Sequence, residues 1–326
     1  MLSVPLEGAL LATPITATIA QTKWKMNVRK HHRFSEYSKS YLMIAPFFIL
    51  FGVFTLGPLL YGIAVSFTRW NGISPPVYIG FNNYATVIHS PRFVKSFSNL
   101  LLYVAITVPV GIGLAFCIAL VVNRFKGLTA QFFRSAYFLP TVVPLFLTAV
   151  IWRWLLTPDF GLINMGLRLL QLPTPNWLGD PAFMIPALVM ADAWRATGFN
   201  MVILLAGMKN VPQEYYEAAT IDGANAIAKV WFIMIPSLEP VLLLVIVNAI
   251  ISALQIFDLP WLMTNSSFGG YGGPLQGMLF PVMDVMGRGF GARRFGEAAA
   301  CACILFVLIL SVTVAQLGLR RRWRNL

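Results

Sequence analysis

Few residues in this chain could do chemistry, and those that could sit in apolar surroundings. Asp192 and Arg195 stand three apart in an otherwise hydrophobic run, with Trp194, Phe199 and Asn200 beside them. An ionisable side chain in such a run is costly, so it pairs, faces the interior of a helix bundle, or lines a water-filled path. The i,i+3 spacing allows Asp192 and Arg195 to pair with each other. Further on, Asn248, Ser252 and Gln255 recur at i, i+4 and i+7, a polar stripe along one face of an apolar helix. Such a stripe serves either hydrogen bonding between helices or contact with a polar ligand. Together these eight residues are the candidate ligand path.

Nothing in the sequence assembles a catalytic site. An enzyme working at membrane depth would need a Ser/His pair or two aspartates there, and neither occurs. The pattern G-x4-G-K-[ST], which cradles a nucleotide phosphate, is absent, so ATP chemistry is not expected on this chain. His31 and His32 lie in a basic stretch and His89 stands alone; metal binding is not expected. Cys117, Cys301 and Cys303 are too few for a disulfide framework and read as packing residues.

The elements that must position these residues are transmembrane helices. Of 326 residues, 58% are hydrophobic and only 11% are charged, at a mean hydropathy of +0.72, too little polar surface for a soluble globule. Crossing a hydrocarbon core takes about 20 apolar residues per helix, and six stretches qualify, roughly 41–67, 100–122, 138–156, 184–207, 240–260 and 299–319. Their continuous Leu, Ile and Val content excludes the short alternating strands of a membrane β-barrel. The expected fold is all-α and polytopic.

A net charge of +12 could suggest nucleic acid, but the distribution of the cations argues otherwise. With the N-terminus inside, fifteen Lys and Arg fall on the cytoplasmic side, from Lys23 through Arg124 and Lys209 to Arg324, and seven fall outside. That bias places both termini in the cytoplasm and assigns the surplus to topology and anionic lipid, with no nucleic-acid partner. Arg288, Arg293 and Arg294 belong to the outside group; they anchor at the interface or would suit an acidic ligand.

Along the chain, residues 1–40 read as a cytoplasmic basic extension, 41–319 as one membrane domain and 320–326 as a basic tail. In residues 1–22 the basic cluster follows the apolar part, the reverse of a cleavable signal peptide. Residues 68–99 and 157–183, rich in Gly, Pro, Asn and aromatics, read as turns and short interfacial helices. Residues 261–298 read as a Gly-rich excursion, either a flexible hairpin or an ordinary loop.

Between the fourth and fifth stretches lies PQEYYEAATIDGANAIAKVWFIMIP, residues 212–236. Pro212 suits a first helical turn, and Glu214 and Glu217 favour a helix N-terminus. Tyr215, Ala218 and Ala219 share a face whose small residues admit another helix closely. Asp222-Gly223 then ends the helix, Gly223 fitting the left-handed position, and a second amphipathic stretch follows. A compact helix–turn–helix facing the cytoplasm is expected over the loop 208–236.

Glu217-Ala218-Ala219, Gly223, Ile233 and Ile235-Pro236 together resemble the coupling loop of ABC-importer permeases. The spacing EAA-x3-G-x9-I-x-hydrophobic-P is met in full. From about residue 41 onward the chain is similar to the carbohydrate-uptake permeases of that superfamily, in PFFILFGVFTLGPLLYGIAVSFTRW, YIGFNNY, ADAWRATGFNMVILLAGMKNVPQEYYEAATIDGA and FDLPWLMT followed by Gly-Gly-Pro. It departs where NSSFGGY separates Thr264 from Gly272-Gly273-Pro274, which leaves the alignment of that loop open.

The resemblance implies a type I ABC-importer permease fold of six spans in a bacterial or archaeal cytoplasmic membrane. It implies ATP-driven uptake of a sugar or oligosaccharide, with polyols, glycerol phosphate or acidic saccharides as alternatives. It further implies a second homologous permease subunit, two ATP-binding subunits that hold ATP and magnesium, and an extracytoplasmic solute-binding protein. Glu214, Glu217, Ala218, Ala219, Asp222 and Gly223 would then form the contact with the ATPase. The rival reading is an ion-gradient-driven transporter or channel, which would show inverted repeats or broken helices with carboxylates at the midplane; the sequence shows neither apart from Asp192.

Overall fold

Prolines and small residues govern the architecture. The structure is a computed structural model that describes residues 41–264 and 271–323, with side chains to residue 318. The expected extension 1–40, the tail residues 324–326 and the segment 265–270 lie outside the described residues. The chain divides into a unit up to Tyr61 and a compact unit from Gly62 onward. The described part of the first unit is apolar helix, and the helical run Tyr41–Ser66 carries a mean hydropathy of 2.1.

Among the described residues four helices are long and apolar enough to cross a membrane, Tyr41–Ser66, Pro91–Asn123, Pro181–Lys209 and Phe295–Gly318. The third expected span is broken instead of straight, and a second bend falls just before the fifth, between it and the loop 208–236. Gly127–Val142 and Leu145–Leu155 meet at 96°, and Ala226–Ser237 and Glu239–Leu254 at 73°. At the first break Val143 takes φ −66° and ψ 127°, the extended state that Pro144 imposes on its predecessor. At the second, Pro236 and Pro240 flank Leu238, which bridges the two helices at φ −86° and ψ −2°. Each bent pair counted as one span makes six. The fifth helix also stops at Leu254, and a separate helix, Asp258–Thr264, occupies the end of the expected span 240–260.

Helix starts follow their sequence signals. Pro181 occupies the first turn of Pro181–Lys209, whose Asp180 cap accepts from Ala182 N at 2.9 Å. That helix forms the centre of the bundle and packs along Pro91–Asn123, with Ala187, Ala191, Ala115 and Ala119 fully buried at the small-residue seams that let helices approach. Gly198 serves the same end: a methyl group there would run into the backbone of Tyr137 and Phe138 in the helix Gly127–Val142. Cys301 is buried as a packing residue, whereas Cys117 is exposed on the surface of the chain.

The excursion expected over 261–298 is largely core. Met278, Leu279, Phe280 and Met283 are fully buried and join Leu100, Tyr103, Met184 and Leu188 in the main hydrophobic cluster. Apolar residues at 278–283 outweigh the glycines before them, so the segment dips back into the bundle. Short elements fill the other connections: an antiparallel pair Thr68–Arg69 with Val77–Tyr78, and helices Asn82–Ile88 and Leu162–Leu169.

Candidate functional site

Helices from several parts of the bundle converge on a cavity of about 340 Å³, within the range of small-molecule sites. Pro181–Lys209 contributes Asp192, Arg195, Phe199 and Asn200; Glu239–Leu254 contributes Asn248 and Ser252, with Gln255 just past its end. Seven of the eight candidate path residues therefore line one space. The eighth, Trp194, does not. Two residues on from Asp192 it is turned about 200° round the helix, where it meets Trp152 edge-on at 6.3 Å in a separate apolar groove.

Asp192 is held from three sides. Tyr103 Oη donates to its Oδ2 at 2.9 Å and Thr107 Oγ1 at 3.4 Å, while Arg195 Nη2 lies 3.4 Å from Oδ1. Thr141 Oγ1 bonds the Arg195 carbonyl at 2.9 Å and so ties the helix Gly127–Val142 to the site. Arg195 Nε is buried without a partner among the described residues. The site can thus accept hydroxyls at carboxylate and amide oxygens, donate from amide and guanidinium nitrogens, and offer the half-exposed face of Phe199.

Sequence reasoning missed Tyr103, Thr107, Thr141 and Asp258 in this lining. Tyr103 and Thr107 carry the same i,i+4 signal as the 248–255 stripe. Asp258 fell within an expected span, where an acidic residue is itself a signal.

The polar loop after Lys209 forms two helices joined by a tight turn. The first is Gln213–Ile221; Pro212 caps it at ψ 135° instead of occupying its first turn. Gly223 has φ +77°, and Ala224 N bonds Ala219 O at 2.8 Å across the turn. Asn225 Oδ1 then caps the next helix through Ala228 N at 2.8 Å, and Lys229 Nζ reaches Thr220 Oγ1 at 2.7 Å to clip the two together. Glu214, Glu217, Ala218, Asp222 and Gly223 are exposed and Ala219 is half-buried. The apolar Ile221 is 88% exposed. Tyr216 packs inward, against the cluster of Met208, Met234 and Leu238.

A second polar assembly joins Pro91–Asn123 to the segment before the last span. Asp284, fully buried, takes Arg92 Nε at 2.7 Å and Arg288 Nε at 2.8 Å. Arg288 also reaches Glu297 at 3.0 Å and Ser90 Oγ at 3.0 Å. Arg288, counted by sequence among outside cations that could meet an acidic ligand, is thereby neutralised inside the fold. Among the described residues no group of three His, Cys, Asp or Glu could hold a metal.

A model of the binding-protein-dependent transport system inner membrane component matches residues 107–325. The chain is 31% identical to the trehalose/maltose transport system permease protein MalF of Thermococcus litoralis, over 92% of this chain and 99% of that one. It is 31% identical to a probable ABC transporter permease protein of Pyrococcus horikoshii, over 85% and 93%. It is 30% identical to the arabinooligosaccharides transport system permease protein AraP of Bacillus subtilis, over 94% of each. In structure it is similar to a chain of a bacterial alginate ABC transporter in complex with alginate pentasaccharide-bound periplasmic protein, with a TM-score of 0.78 at 21% identity, over 89% of this chain and 96% of that one. At that identity the likeness is one of fold. With several helices long and apolar enough to cross a membrane and this extent of similarity, the chain belongs to the inner membrane components of binding-protein-dependent transport systems, the permeases of ABC transporters.

Proposed function

We propose that the chain is the permease subunit of an ATP-driven importer of sugars or oligosaccharides and supplies half of its translocation path. The observation that carries the proposal is the cavity where Asp192, Arg195, Asn200, Asn248, Ser252 and Gln255 converge between spans. Hydroxyl-rich ligands need such paired donors and acceptors. Relatives named for trehalose/maltose and arabinooligosaccharides support the same class.

In this reading residues 41–319 are the permease domain and the loop 208–236 faces the cytoplasm, with both termini on the same side, as the cation bias favours. The helix Gln213–Ile221 docks in a cleft of an ATP-binding subunit, with Glu214, Glu217, Ala218, Ala219, Asp222 and Gly223 at the contact. Two such subunits hold ATP and magnesium and do the hydrolysis, so this chain is not itself catalytic. A second homologous permease completes the path and an extracytoplasmic binding protein delivers substrate. The setting is a bacterial or archaeal cytoplasmic membrane. Nucleotide binding shifts the pair of permeases between two states only insofar as the docked helix is placed differently in each.

Uptake into vesicles carrying the four-subunit complex and its binding protein tests this. ATP-dependent accumulation of a labelled oligosaccharide, lost on omitting the ATP-binding subunits, is expected; uptake by this chain alone would defeat the reading. The two bent helix pairs favour a second reading, since a gradient-driven transporter also uses broken helices near a carboxylate such as Asp192. Collapse of uptake by an ionophore at constant ATP would select it.

A further inference from the structure

A cleft of about 370 Å³ opens away from the path described above, lined by Arg69, Arg293 and Arg294 together with Asn71, Ser74 and Asn82. Two distant stretches build it. The backbone after the first long helix is stitched to the start of the last span: Phe295 N donates to Trp70 O at 3.0 Å, and the two rings lie 5.5 Å apart. Asn83 Nδ2 fixes the same corner through Ser66 O and Thr68 O, both at 2.8 Å. Asn71 Oδ1 is spent on Ile73 N, Ser74 N and Ser74 Oγ, so its amide group remains as a donor.

The charges in the cleft do not balance. Among the described residues Glu297 is the one carboxylate in its lining, and its two oxygens already take Arg288 at 3.0 Å and Arg294 at 3.4 Å. The guanidiniums of Arg69 and Arg293 have no ion-pair or hydrogen-bond partner among the described residues. Arg293 is held at φ +53°, a costly conformation for a residue with a Cβ, at the turn that presents it here.

We propose that this cleft binds the phosphate of an anionic phospholipid headgroup. Its depth favours lipid over a soluble acidic partner. Arg69 comes three residues after the helix ends at Ser66, and Arg294 immediately precedes Phe295, the first residue of the last span. Exposed Tyr78, Phe81 and Phe290 lie in the same segments, the amphipathic and aromatic content found at headgroup level. Guanidinium forks suit phosphate oxygens geometrically as well as in charge.

Native mass spectrometry of the full chain, purified in detergent and titrated with phosphatidylglycerol or phosphatidylcholine, tests the site. Retention of one phosphatidylglycerol in preference to phosphatidylcholine is expected. Each of Arg69→Gln and Arg293→Gln is expected to weaken it by about fivefold and the double variant by about 25-fold. Lys95→Gln, an exposed cation one turn into the neighbouring span, is expected to leave retention unchanged, and Arg69→Lys with Arg293→Lys to keep the preference. Equal retention of the two lipids, or unchanged retention in the double variant, would overturn the proposal. So would displacement of the lipid by millimolar inorganic phosphate, which marks a free-anion site, or loss of an acidic soluble partner from the double variant with lipid retention intact.

Discussion

The phenol of Tyr103 donates to the carboxylate of Asp192 at 2.9 Å, so a fully buried aromatic of one long helix holds the ionisable residue of another. That bond, and not the longer 3.4 Å approach of Arg195, sets where the carboxylate points. Tyr103→Phe keeps the packing and removes one hydrogen bond to a charged acceptor, a loss of about 1.5–3 kcal/mol. The expected outcome is lower stability in denaturant titration and weaker substrate uptake. Asp192→Asn keeps the size but leaves Arg195 without its counter-ion, and is expected to impair uptake more than folding. Wild-type uptake in both variants would remove Asp192 from the path.

Asp284 is the more severe place to cut. Two arginines converge on it in a site where its side chain has no exposure. Asp284→Ala removes the ion-pair partner of Arg92 and leaves Arg288 with Glu297 alone, and breaking a buried pair by removing one partner costs about 3–5 kcal/mol. Arg92→Gln, at a side chain one-third exposed, is expected to cost less. Unfolding in detergent followed by circular dichroism checks the order of the two.

How far these sites were legible in the sequence depends on how local their signals were. The Asn248, Ser252 and Gln255 stripe and the Gly223 turn rest on spacing within one helix or one turn, and they could be read directly. The pairing of Asp284 with Arg92 could not, because 192 residues separate them and only the re-entrant segment brings them together. Trp194 lines a separate groove because residues two apart on a helix lie on nearly opposite faces, however close in sequence. The bends were legible in principle. Pro144 marks the break inside the third span, where continuous hydropathy conceals it, whereas the bend at Leu238 falls between Pro236 and Pro240, at the boundary of the loop 208–236 and the fifth span.

Gly223 separates a backbone role from a contact role in the exposed loop. No atom lies within 4 Å of where a Cβ would sit, so Gly223→Ala costs only the left-handed backbone, about 1–2 kcal/mol. Gly223→Asn is expected to be milder, since asparagine tolerates that conformation. If the loop docks an ATP-binding subunit, copurification of that subunit should fall in the order glycine, asparagine, alanine. Glu217→Ala, at an exposed helical position, should reduce copurification with little change in the stability of the chain. Equal copurification across the series would separate the loop from assembly.

Tyr216 offers a test with an unusual sign. Its hydroxyl is buried and has no hydrogen-bond partner among the described residues, and burial pushes its phenol above the ordinary value of 10.0. An unpaired buried hydroxyl costs free energy, so Tyr216→Phe is expected to be neutral or stabilising by about 1 kcal/mol at pH 7. The pH dependence follows from linkage. A phenol whose folded value is raised favours folding fully below the unfolded value, and that contribution is lost as pH rises from about 10 through the higher folded value. The wild-type chain should therefore lose stability above pH 10 more steeply than Tyr216→Phe, with the two curves parallel below pH 9. A destabilised Tyr216→Phe at pH 7 would mean that the hydroxyl has a partner in the assembled transporter or in solvent.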